Sequence, residues 1–346
     1  MTAPLDPYAR ARLEQQGLPT MVAALVLVLA IFAAFFGRAA GLGEVDSVQT
    51  FVLIFSSIVV EALPFVLLGA LVSAAIAVYV PNRVFEQIAT LPVALQVPGA
   101  AFGGLAFPVC ECGSVPVARR LILRGVHPAA GLAFMLSAPV MNPIVLASTW
   151  VAYSGRGLGV EMVLGRAGFG LVLAALIGIA AGRVTADALL RPRSQEVYGH
   201  EHHGHEHDVE VEGAPRREQF LEHLATDFLF MGKFIVLGAA LAAILQTLVP
   251  QSIVSGVADS TILAPLALMG LAFMLSLCSE ADAFVAVSFT AFTPGSQLAF
   301  LVLGPMIDTK LTLLYGATFR RRFALRVIVI AVPFLLVASV IFDAIV

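Results

Sequence analysis

The sequence has little charge, little cysteine and no excess of basic residues. Only 12% of its 346 residues are charged, whereas 59% are hydrophobic. Soluble domains carry about 25% charged residues, so this composition excludes a soluble globular domain. The net charge of −3 gives nucleic acid no basic surface to bind. Cys110, Cys112 and Cys278 all lie in apolar stretches, which excludes a disulfide-stabilised scaffold.

Long hydrophobic runs are what the sequence does contain, and they predict a polytopic membrane protein. A bilayer core about 30 Å thick needs roughly 20 apolar residues per helix. The first run follows a polar segment and has no small-residue cleavage site after it, so we interpret it as a retained anchor. We expect about seven full spans, at residues 21–36, 51–80, 127–153, 159–181, 228–249, 296–319 and 323–346.

Two further apolar stretches, 94–123 and 262–292, are predicted to be re-entrant helical hairpins. Positive charges favour the cytoplasmic side of a membrane, and counting both stretches as crossings conflicts with that rule. If both stretches are hairpins, the predicted topology satisfies the rule. The cytoplasm then holds the basic clusters, the N-terminus and the polar segment 183–225, and the C-terminus lies outside. The basic residues concerned are Arg10, Arg12, Arg119, Arg120, Arg124, Arg320, Arg321 and Arg322.

An internal repeat divides the chain into two halves. FVLLGALVSAAIAVYVP (65–81) matches FIVLGAALAAILQTLVP (234–250), and HPAAGLAFMLSAPVMNP (127–143) matches TPGSQLAFLVLGPMIDT (293–309) at nearly the same offset. Each half would hold three spans and one hairpin, and this odd number of crossings requires the halves to be inverted. Inverted repeats with broken helices place a substrate site at the bilayer midplane.

The predicted fold class is therefore an all-α polytopic membrane protein with inverted repeats and two re-entrant hairpins. The hairpins fall at corresponding places in the two repeats. The predicted parts are an N-terminal segment with the first span (1–50), repeat 1 (51–182), a His-rich cytoplasmic loop (183–225) and repeat 2 (226–346).

The segment FPVCECGSVP (107–116) holds the densest set of reactive side chains. Its Pro108, Gly113 and Pro116 are expected to interrupt a helix, as a hairpin tip requires. Non-helical backbone at membrane depth must be buried in protein or line a wet cavity. Thiols favour soft partners such as Cu(I), Zn(II) or trivalent arsenic. The candidate substrate ligands in this segment are Cys110, Glu111, Cys112 and Ser114.

LSLCSEADAF (275–284) is the matching turn of the second half. Cys278 and Ser279 are candidate substrate ligands. Glu280 and Asp282 are candidate proton carriers, because an intramembrane carboxyl usually marks an ion or proton path. The alternative is that this turn reaches the outer interface and its acids are simply hydrated.

SAPVMNP (137–143) is expected to form a broken helix. Pro139 and Pro143 should interrupt the span and free backbone groups for a ligand. Ser137 and Asn142 are then candidate substrate ligands. The alternative is that they make hydrogen bonds that only pack helices.

In the matching segment GPMIDTK (304–310), Asp308 occupies the place of Asn142 and is a further candidate ligand. Lys310 lies on a different face of a regular helix, so it can pair with Asp308 only if the segment unwinds. Lys310 is a candidate for proton coupling, as are Glu111 and a further intramembrane acid, Glu61.

The polar segment contains the histidine run HEHHGHEH. Its two interpretations are a cytoplasmic metal-collecting or sensing loop and a solvated linker. The candidate metal ligands are His200, His202, His203, His205 and His207. The sequence has no Gly-rich phosphate loop, so ATP-driven pumping by this chain has no support.

The motifs CECGSVPVARRLILRGV (110–126) and SAPVMNPIVL (137–146) resemble a predicted-permease family that includes the organoarsenical efflux permeases, called ArsP. The resemblance covers about residues 51–346, including CSEADAF and GPMIDTK. In those exporters cysteine thiols bind trivalent organoarsenicals. The resemblance implies the same role for Cys110, Cys112 and Cys278.

Taken with this resemblance, the sequence predicts a secondary-active permease of the bacterial inner membrane, not an enzyme. It would export a small thiophilic solute, such as the organoarsenical methylarsenite, by proton exchange and without a cofactor. The alternatives are a transition-metal permease for zinc or copper and an intramembrane thiol or metal enzyme. The duplicated site favours transport, because an enzyme needs no inverted copy of its site. The expected partners are a small-molecule substrate and lipid, with the oligomeric state left open.

Overall fold

The computed structural model describes residues 46–106, 109–181, 185–191, 215–248, 258, 260–320 and 322–346. The predicted first span (21–36) and the five candidate histidines lie outside these ranges. Within them the chain is helical, with no strand and one isolated β-bridge between Leu190 and Phe319. The all-α prediction is confirmed.

Eight helices form the first half: α1 (Asp46–Tyr79), α2 (Asn82–Ala89), α3 (Val93–Ala106), α4 (Glu111–Leu123), α5 (Pro128–Met141), α6 (Pro143–Ser154), α7 (Gly159–Ala181) and α8 (Ala186–Leu189). Six form the described second half: α9 (Arg216–Leu248), α10 (Leu263–Leu275), α11 (Asp282–Ala286), α12 (Pro294–Leu303), α13 (Thr309–Thr318) and α14 (Arg322–Ile345). Five segments in these ranges are long and apolar enough to cross a membrane, namely α1, α5 with α6, α7, α9 and α14. The chain is therefore a multi-pass membrane protein.

The predicted span 296–319 is not one continuous helix. α12 and α13 are separated by residues 304–308. Pro305 has no N–H group to continue the helical ladder. Asp308 begins the next helix as its N-cap, because its Oδ1 accepts a hydrogen bond from the Leu311 N–H at 2.6 Å. Two half-helices therefore replace one span.

α5 and α6 meet at a similar break, but Pro139 does not cause it. Pro139 lies inside α5, so its predicted helix-breaking role is wrong. The break falls at Asn142, whose side chain accepts a hydrogen bond from the Ile144 N–H at 3.0 Å. Pro143 is the first residue of α6, where a missing N–H costs nothing. A capping side chain followed by proline decides where this helix breaks.

α3, α4 and α10 are too short to cross a bilayer on their own. They contain 14, 13 and 13 residues, or about 21, 20 and 20 Å at 1.5 Å per residue. The hydrocarbon core is about 30 Å thick. Between α3 and α4, Cys110 is extended and α4 starts at the next residue.

Gly113 and Pro116 were expected to interrupt a helix, and both instead lie inside α4. Membrane helices tolerate an internal proline because neighbouring groups satisfy the freed backbone. Gly113 has a packing role, since a Cβ added to it would lie 2.8 Å from the Cα of Gly69 in α1. The glycine pair lets α1 and α4 approach closely.

α1 and α9 pack along each other in opposite directions. Near the start of α1, Phe55 clusters with Ala243, which lies near the end of α9. At the other end, the rings of Tyr79 and Phe220 are 5.9 Å apart. The two helices that match in sequence are therefore antiparallel.

The remaining helices make corresponding contacts in both halves. α5 packs against α3 and α7, as α12 packs against α10 and α14. α4 contacts α13, and α11 contacts α6. α4 and α11 therefore each touch the broken helix of the other half, which brings the starts of these two helices close to the breaks.

Basic residues gather at one end of this helix bundle. Arg119 Nη1 donates a hydrogen bond to the Arg191 carbonyl at 3.0 Å. The Arg320 N–H donates to the Leu189 carbonyl, also at 3.0 Å. Basic residues from α4 and from the segment after α13 thus meet beside the short helix α8.

Candidate functional site

The segment that starts α4 (109–112), which we call the first tip, and the segment that leads into α11 (276–282), which we call the second tip, meet the two helix breaks in the interior of the bundle. Ser279 of the second tip donates a hydrogen bond to Glu111 Oε2 of the first tip at 3.2 Å. Asn142 Nδ2, at the first break, donates to Glu280 Oε1 at 3.5 Å. We call this group the central cluster, and its members are Glu111, Asn142, Ser279, Glu280, Asp308 and Lys310.

Lys310 is the cation of the central cluster. Its Nζ lies 3.6 Å from Glu111 Oε1 and 3.6 Å from Asp308 Oδ2, and all three side chains are 1% exposed. These distances exceed those of hydrogen bonds, and none of the three atoms has a hydrogen-bond partner in the described structure. Buried polar atoms normally have partners. The contact is therefore electrostatic, and each of the three atoms can still form a hydrogen bond with a further polar group.

Each carboxylate has one oxygen held in place and the other turned toward Lys310. Asp308 Oδ1 is held by the Leu311 N–H as the helix cap, which leaves Oδ2 facing the ammonium. Glu111 Oε2 is held by Ser279, which leaves Oε1. Lys310 lies beside Asp308 at 3.6 Å, but only Asp308 is outside the helix, whereas Lys310 belongs to the first turn of α13.

The three cysteines are buried free thiols. Cys110 and Cys112 lie in one buried cluster with Met231 of α9. Cys278 belongs to the second tip, next to Ser279, and is buried as well. Among the described residues, no group of three or more His, Cys, Asp and Glu side chains is arranged to hold a metal ion. The thiols border the central cluster without forming a ready metal site.

Glu61 and Glu280 are half-buried acids at the edge of the central cluster. Lys310 Nζ already lies 3.6 Å from the carboxylates of both Glu111 and Asp308. One ammonium therefore faces more than one carboxyl group, and the region is negative when the acids are ionised. The acids concerned are Glu61, Glu111, Glu280 and Asp308.

Ser114 and Ser137 direct their hydroxyls to backbone carbonyls. Ser114 Oγ lies 3.0 Å from the Met135 carbonyl and links α4 to α5. Ser137 Oγ donates to the Phe134 carbonyl at 3.3 Å, within α5. Both side chains are buried, and these contacts orient helices rather than join the central cluster.

Asp282 is paired with Arg166 of α7, a residue that the sequence reasoning missed. The two Arg166 Nη atoms donate to the two Asp282 oxygens at 2.8 and 2.6 Å, and Nη2 also donates to the Ser279 carbonyl at 3.2 Å. Arg166 is fully buried. This ion pair fixes the second tip against α7. An arginine in the middle of an apolar span was the available signal, since such residues are costly in a bilayer.

A second missed group joins α1, α4 and α9. Ser73 Oγ donates to Asp227 Oδ2 at 2.6 Å, and Arg120 Nη2 donates to the same oxygen at 3.2 Å. The group lies toward the basic end of the bundle, and it anchors α4 to the antiparallel pair of α1 and α9.

Comparison with known proteins gives a consistent result over most of the chain. A family model described as "Predicted permease" (ArsP_1) matches residues 47–344. The chain is 40% identical over 288 residues to the UPF0718 protein YcgR of Bacillus subtilis (strain 168), covering 83% of this chain and 94% of that protein. It is 34% identical over 284 residues to a putative two-component membrane permease complex subunit of Streptococcus mutans serotype c, covering 81% and 91% respectively. No solved structure matches it significantly.

Proposed function

Because this chain belongs to the predicted-permease family ArsP_1, we propose that it is a secondary-active permease for a small thiophilic solute. The leading candidate cargo is a trivalent organoarsenical such as methylarsenite, exported in exchange for protons. The family resemblance drawn from the motifs around Cys110 and Asn142 is confirmed by the same match.

The observation that carries this proposal is the central cluster itself. Ionisable side chains inside a membrane bundle mark substrate or ion paths. Here they lie at two helix breaks and two turns, as in transporters whose sites are built from discontinuous helices. The bordering thiols favour a soft or thiophilic cargo.

We further propose that residues 51–182 and 226–346 are inverted repeats, with re-entrant hairpins at 94–123 and 262–292. The antiparallel packing of α1 and α9 supports this, because these helices match in sequence. The corresponding helix contacts of the two halves support it too. The length of α3, α4 and α10 is typical of hairpin arms rather than spans.

The proposed location is the bacterial inner membrane, with the N-terminus and the 183–225 loop in the cytoplasm and the C-terminus outside. Support comes from Arg119, Arg191 and Arg320, which lie at one end of the bundle. Basic residues favour the cytoplasmic side. The histidines of the loop retain their two interpretations, a metal-collecting segment or a linker.

The proposed roles follow the placement of each group. The thiols of Cys110, Cys112 and Cys278 would capture the cargo. Glu111 or Glu280 would carry the coupling proton, with Glu61 at the edge of the path. Asn142, Asp308 and Lys310 would shape the site. Asp282, expected to carry protons, is better explained as a positioning residue because it is fully paired with Arg166.

A second candidate cargo is a thiophilic metal cation such as zinc or copper(I). The specific support is that Glu111 stands between Cys110 and Cys112 in sequence and all three side chains are buried, since a carboxylate and thiols make a suitable mixed donor set.

The test uses inverted membrane vesicles that contain the full chain, with and without an imposed pH gradient. Vesicles should accumulate methylarsenite when the gradient is present. Cys110→Ser and Cys112→Ser should each lower that uptake at least about 10-fold, or about 1.4 kcal/mol of cargo affinity. Met231→Leu is the matched control, because Met231 lies in the same buried cluster as Cys110 and Cys112 and leucine keeps its volume.

Zinc and copper(I) uptake are measured in parallel, which separates the two candidate cargoes. Unchanged uptake of every cargo in both cysteine variants would contradict capture by thiols. Uptake at the same rate with and without the pH gradient would contradict proton exchange.

A further inference from the structure

Ser276, the first residue of the second tip, has a backbone conformation that serine rarely adopts. Its φ is +49° and its ψ is +43°, in the left-handed region that favours glycine because a Cβ is crowded there. No other non-glycine residue in the described part of the chain has a positive φ. The Ser276 N–H ends α10 by donating to the Ala272 carbonyl at 3.2 Å, in a turn where glycine is usual. Such strain persists only where surrounding contacts offset it.

The Ser276 hydroxyl joins the end of α10 to the start of α13. Its Oγ accepts a hydrogen bond from the Thr309 N–H at 3.1 Å and donates one to the Phe273 carbonyl at 3.3 Å. Thr309 Oγ1 donates to the same carbonyl at 2.9 Å. We call these three hydrogen bonds the clasp. Ser276 and Thr309 are only 1% and 3% exposed, so water does not compete for the clasp.

The clasp uses backbone groups that the two helix ends leave without partners. The first N–H groups and the last carbonyls of an α-helix have no partner inside the helix. Thr309 is the first residue of α13, and Phe273 lies in the last turn of α10. The Ser276 hydroxyl therefore satisfies both helix ends at once. Gln246 of α9 donates to a further carbonyl, that of Leu275, at 2.9 Å, which ties the same junction to α9.

The two carboxylates that face the ammonium of the central cluster are connected through the clasp. Ser279, which holds the carboxylate of Glu111, follows Ser276 by three residues. Asp308, whose other oxygen faces the same ammonium at 3.6 Å, immediately precedes Thr309. The clasp therefore fixes the second tip relative to the second break, and with it the separation of the two carboxylates.

The first half cannot form the same hydrogen bonds. In the internal repeat, Thr309 matches Pro143, and proline has no N–H to donate. The clasp is thus a feature of the second half, and it makes the two helix breaks unequal.

We propose that Ser276 is a positioning residue of the central cluster. Its hydroxyl holds the second tip and the second break as one unit, so that Glu111 and Asp308 face the same ammonium. The left-handed turn is the conformation in which this hydroxyl reaches α13. The inference goes beyond the proposed function, because it holds for any cargo, and transport is only one of its readouts.

Hydrogen–deuterium exchange of the purified full chain in lipid nanodiscs tests the clasp without any cargo. Ser276→Gly removes the hydroxyl and keeps the left-handed turn. Amide exchange in the segment 308–311 should rise about 5-fold, the factor that one hydrogen bond contributes. Exchange in the first tip (109–112) should rise at least about 2-fold, because Ser279 then holds Glu111 less firmly.

Ser288→Gly is the matched control for the loss of a serine hydroxyl. Ser288 also follows a helix end, but it is exposed and its hydroxyl donates to the nearby Val285 carbonyl. Exchange in both segments should equal that of the wild type.

Ser276→Ala separates the hydroxyl from the strain. Alanine removes the hydroxyl but keeps a Cβ in the left-handed turn, so this variant should melt at a lower temperature than Ser276→Gly. Both variants should show the same rise in exchange. Thr309→Val removes the third hydrogen bond of the clasp without changing Ser276, and it decides the proposal if neither Ser276 variant folds. It too should raise exchange in the first tip.

Transport gives a second readout that loss of folded protein would not imitate. For Ser276→Gly, the methylarsenite concentration at half-maximal vesicle uptake should rise about 10-fold, while the maximal rate stays within about 2-fold of the wild type. A lower maximal rate at an unchanged half-saturating concentration would indicate fewer folded molecules and overturn the positioning role.

Unchanged exchange in the first tip of folded Ser276→Gly would also overturn the proposal and reduce Ser276 to the end of a helix. That result would not touch the proposed function, which uptake by the wild type tests separately. If the wild type takes up no cargo, the proposed function fails, and the exchange measurements still decide whether the clasp positions the first tip.

Discussion

Ser279 Oγ donates a hydrogen bond to Glu111 Oε2 at 3.2 Å, which joins the first and second tips across 168 residues of sequence. Both side chains are buried, with 0% and 1% of their surface exposed. The bond orients Glu111 so that its other oxygen faces Lys310. It therefore couples the position of one tip to the electrostatics of the other.

Ser279→Ala should lower transport by the central cluster more than it lowers stability. A hydrogen bond to a charged group contributes about 1.5–3 kcal/mol, and without it Glu111 can rotate away from Lys310. We expect vesicle uptake to fall about 10-fold or more, with the melting temperature lowered by a few degrees at most. Ser288→Ala is the control, because that exposed hydroxyl bonds only to the nearby Val285 carbonyl among the described contacts. Equal uptake in the two variants would contradict the proposed coupling between the Ser279 hydrogen bond and the position of Glu111.

Arg166→Leu should destabilise the protein strongly, because it leaves Asp282 buried and uncompensated. Breaking a buried ion pair in this way costs about 3–5 kcal/mol. The thermal unfolding of detergent-purified protein measures the effect, and Arg156→Leu is the control, since Arg156 is exposed in the loop between α6 and α7.

Replacing both partners separates folding from positioning. The double variant Arg166→Leu with Asp282→Leu should regain much of the stability, since apolar replacement of a buried pair is often neutral. It should not regain transport, because Arg166 also holds the Ser279 carbonyl at 3.2 Å. Full recovery of uptake would show that the pair serves stability alone.

The positions of the helix breaks show what the sequence could predict. Asn142 with Pro143, and Asp308 after Pro305, combine a capping side chain with a proline, and both breaks formed where those signals coincide. Pro139 lacks a cap beside it and stays inside α5. The position of a helix break can be predicted when the residue that caps the helix and the residue whose backbone N–H it binds are at most three residues apart in sequence.

The pairing of charges could not be predicted in the same way. Arg166 and Asp282 are 116 residues apart. No sequence pattern near either residue identifies its partner in the ion pair. Glu111 and Asp308 were both expected at the site, yet their sharing of one ammonium depends on how α4 meets α13. Such contacts are decided by tertiary packing, which periodicity and motif spacing do not encode.

The proposed inversion of the halves predicts that their hairpins open on opposite sides of the membrane. Arg83 in α2 and Thr290 after α11 are both exposed, and each lies next to one hairpin. In a background without native cysteines, Arg83→Cys should react with a membrane-impermeant thiol reagent only from the cytoplasmic side. Thr290→Cys should react only from outside. Labelling of both from the same side would rule out inverted repeats.

Asp308 has two separable tasks, and two substitutions distinguish them. Its Oδ1 caps α13 through the Leu311 N–H at 2.6 Å, while its Oδ2 faces Lys310. Asparagine keeps a capping oxygen but removes the charge, whereas alanine removes both. Loss of an N-cap costs about 0.5–2 kcal/mol, so Asp308→Ala should melt at a lower temperature than Asp308→Asn.

Transport should depend on the charge of Asp308, whereas stability depends on its capping oxygen. Both variants lose the carboxylate that faces Lys310, so both should lose vesicle uptake to a similar extent, about 10-fold or more. Asn142→Ala supplies the comparison, because it removes the corresponding cap at the other break without changing the charge beside Lys310. If Asp308→Asn transported as well as the wild type, the charge at this break would have no part in the path, and only the shape of the broken helix would matter.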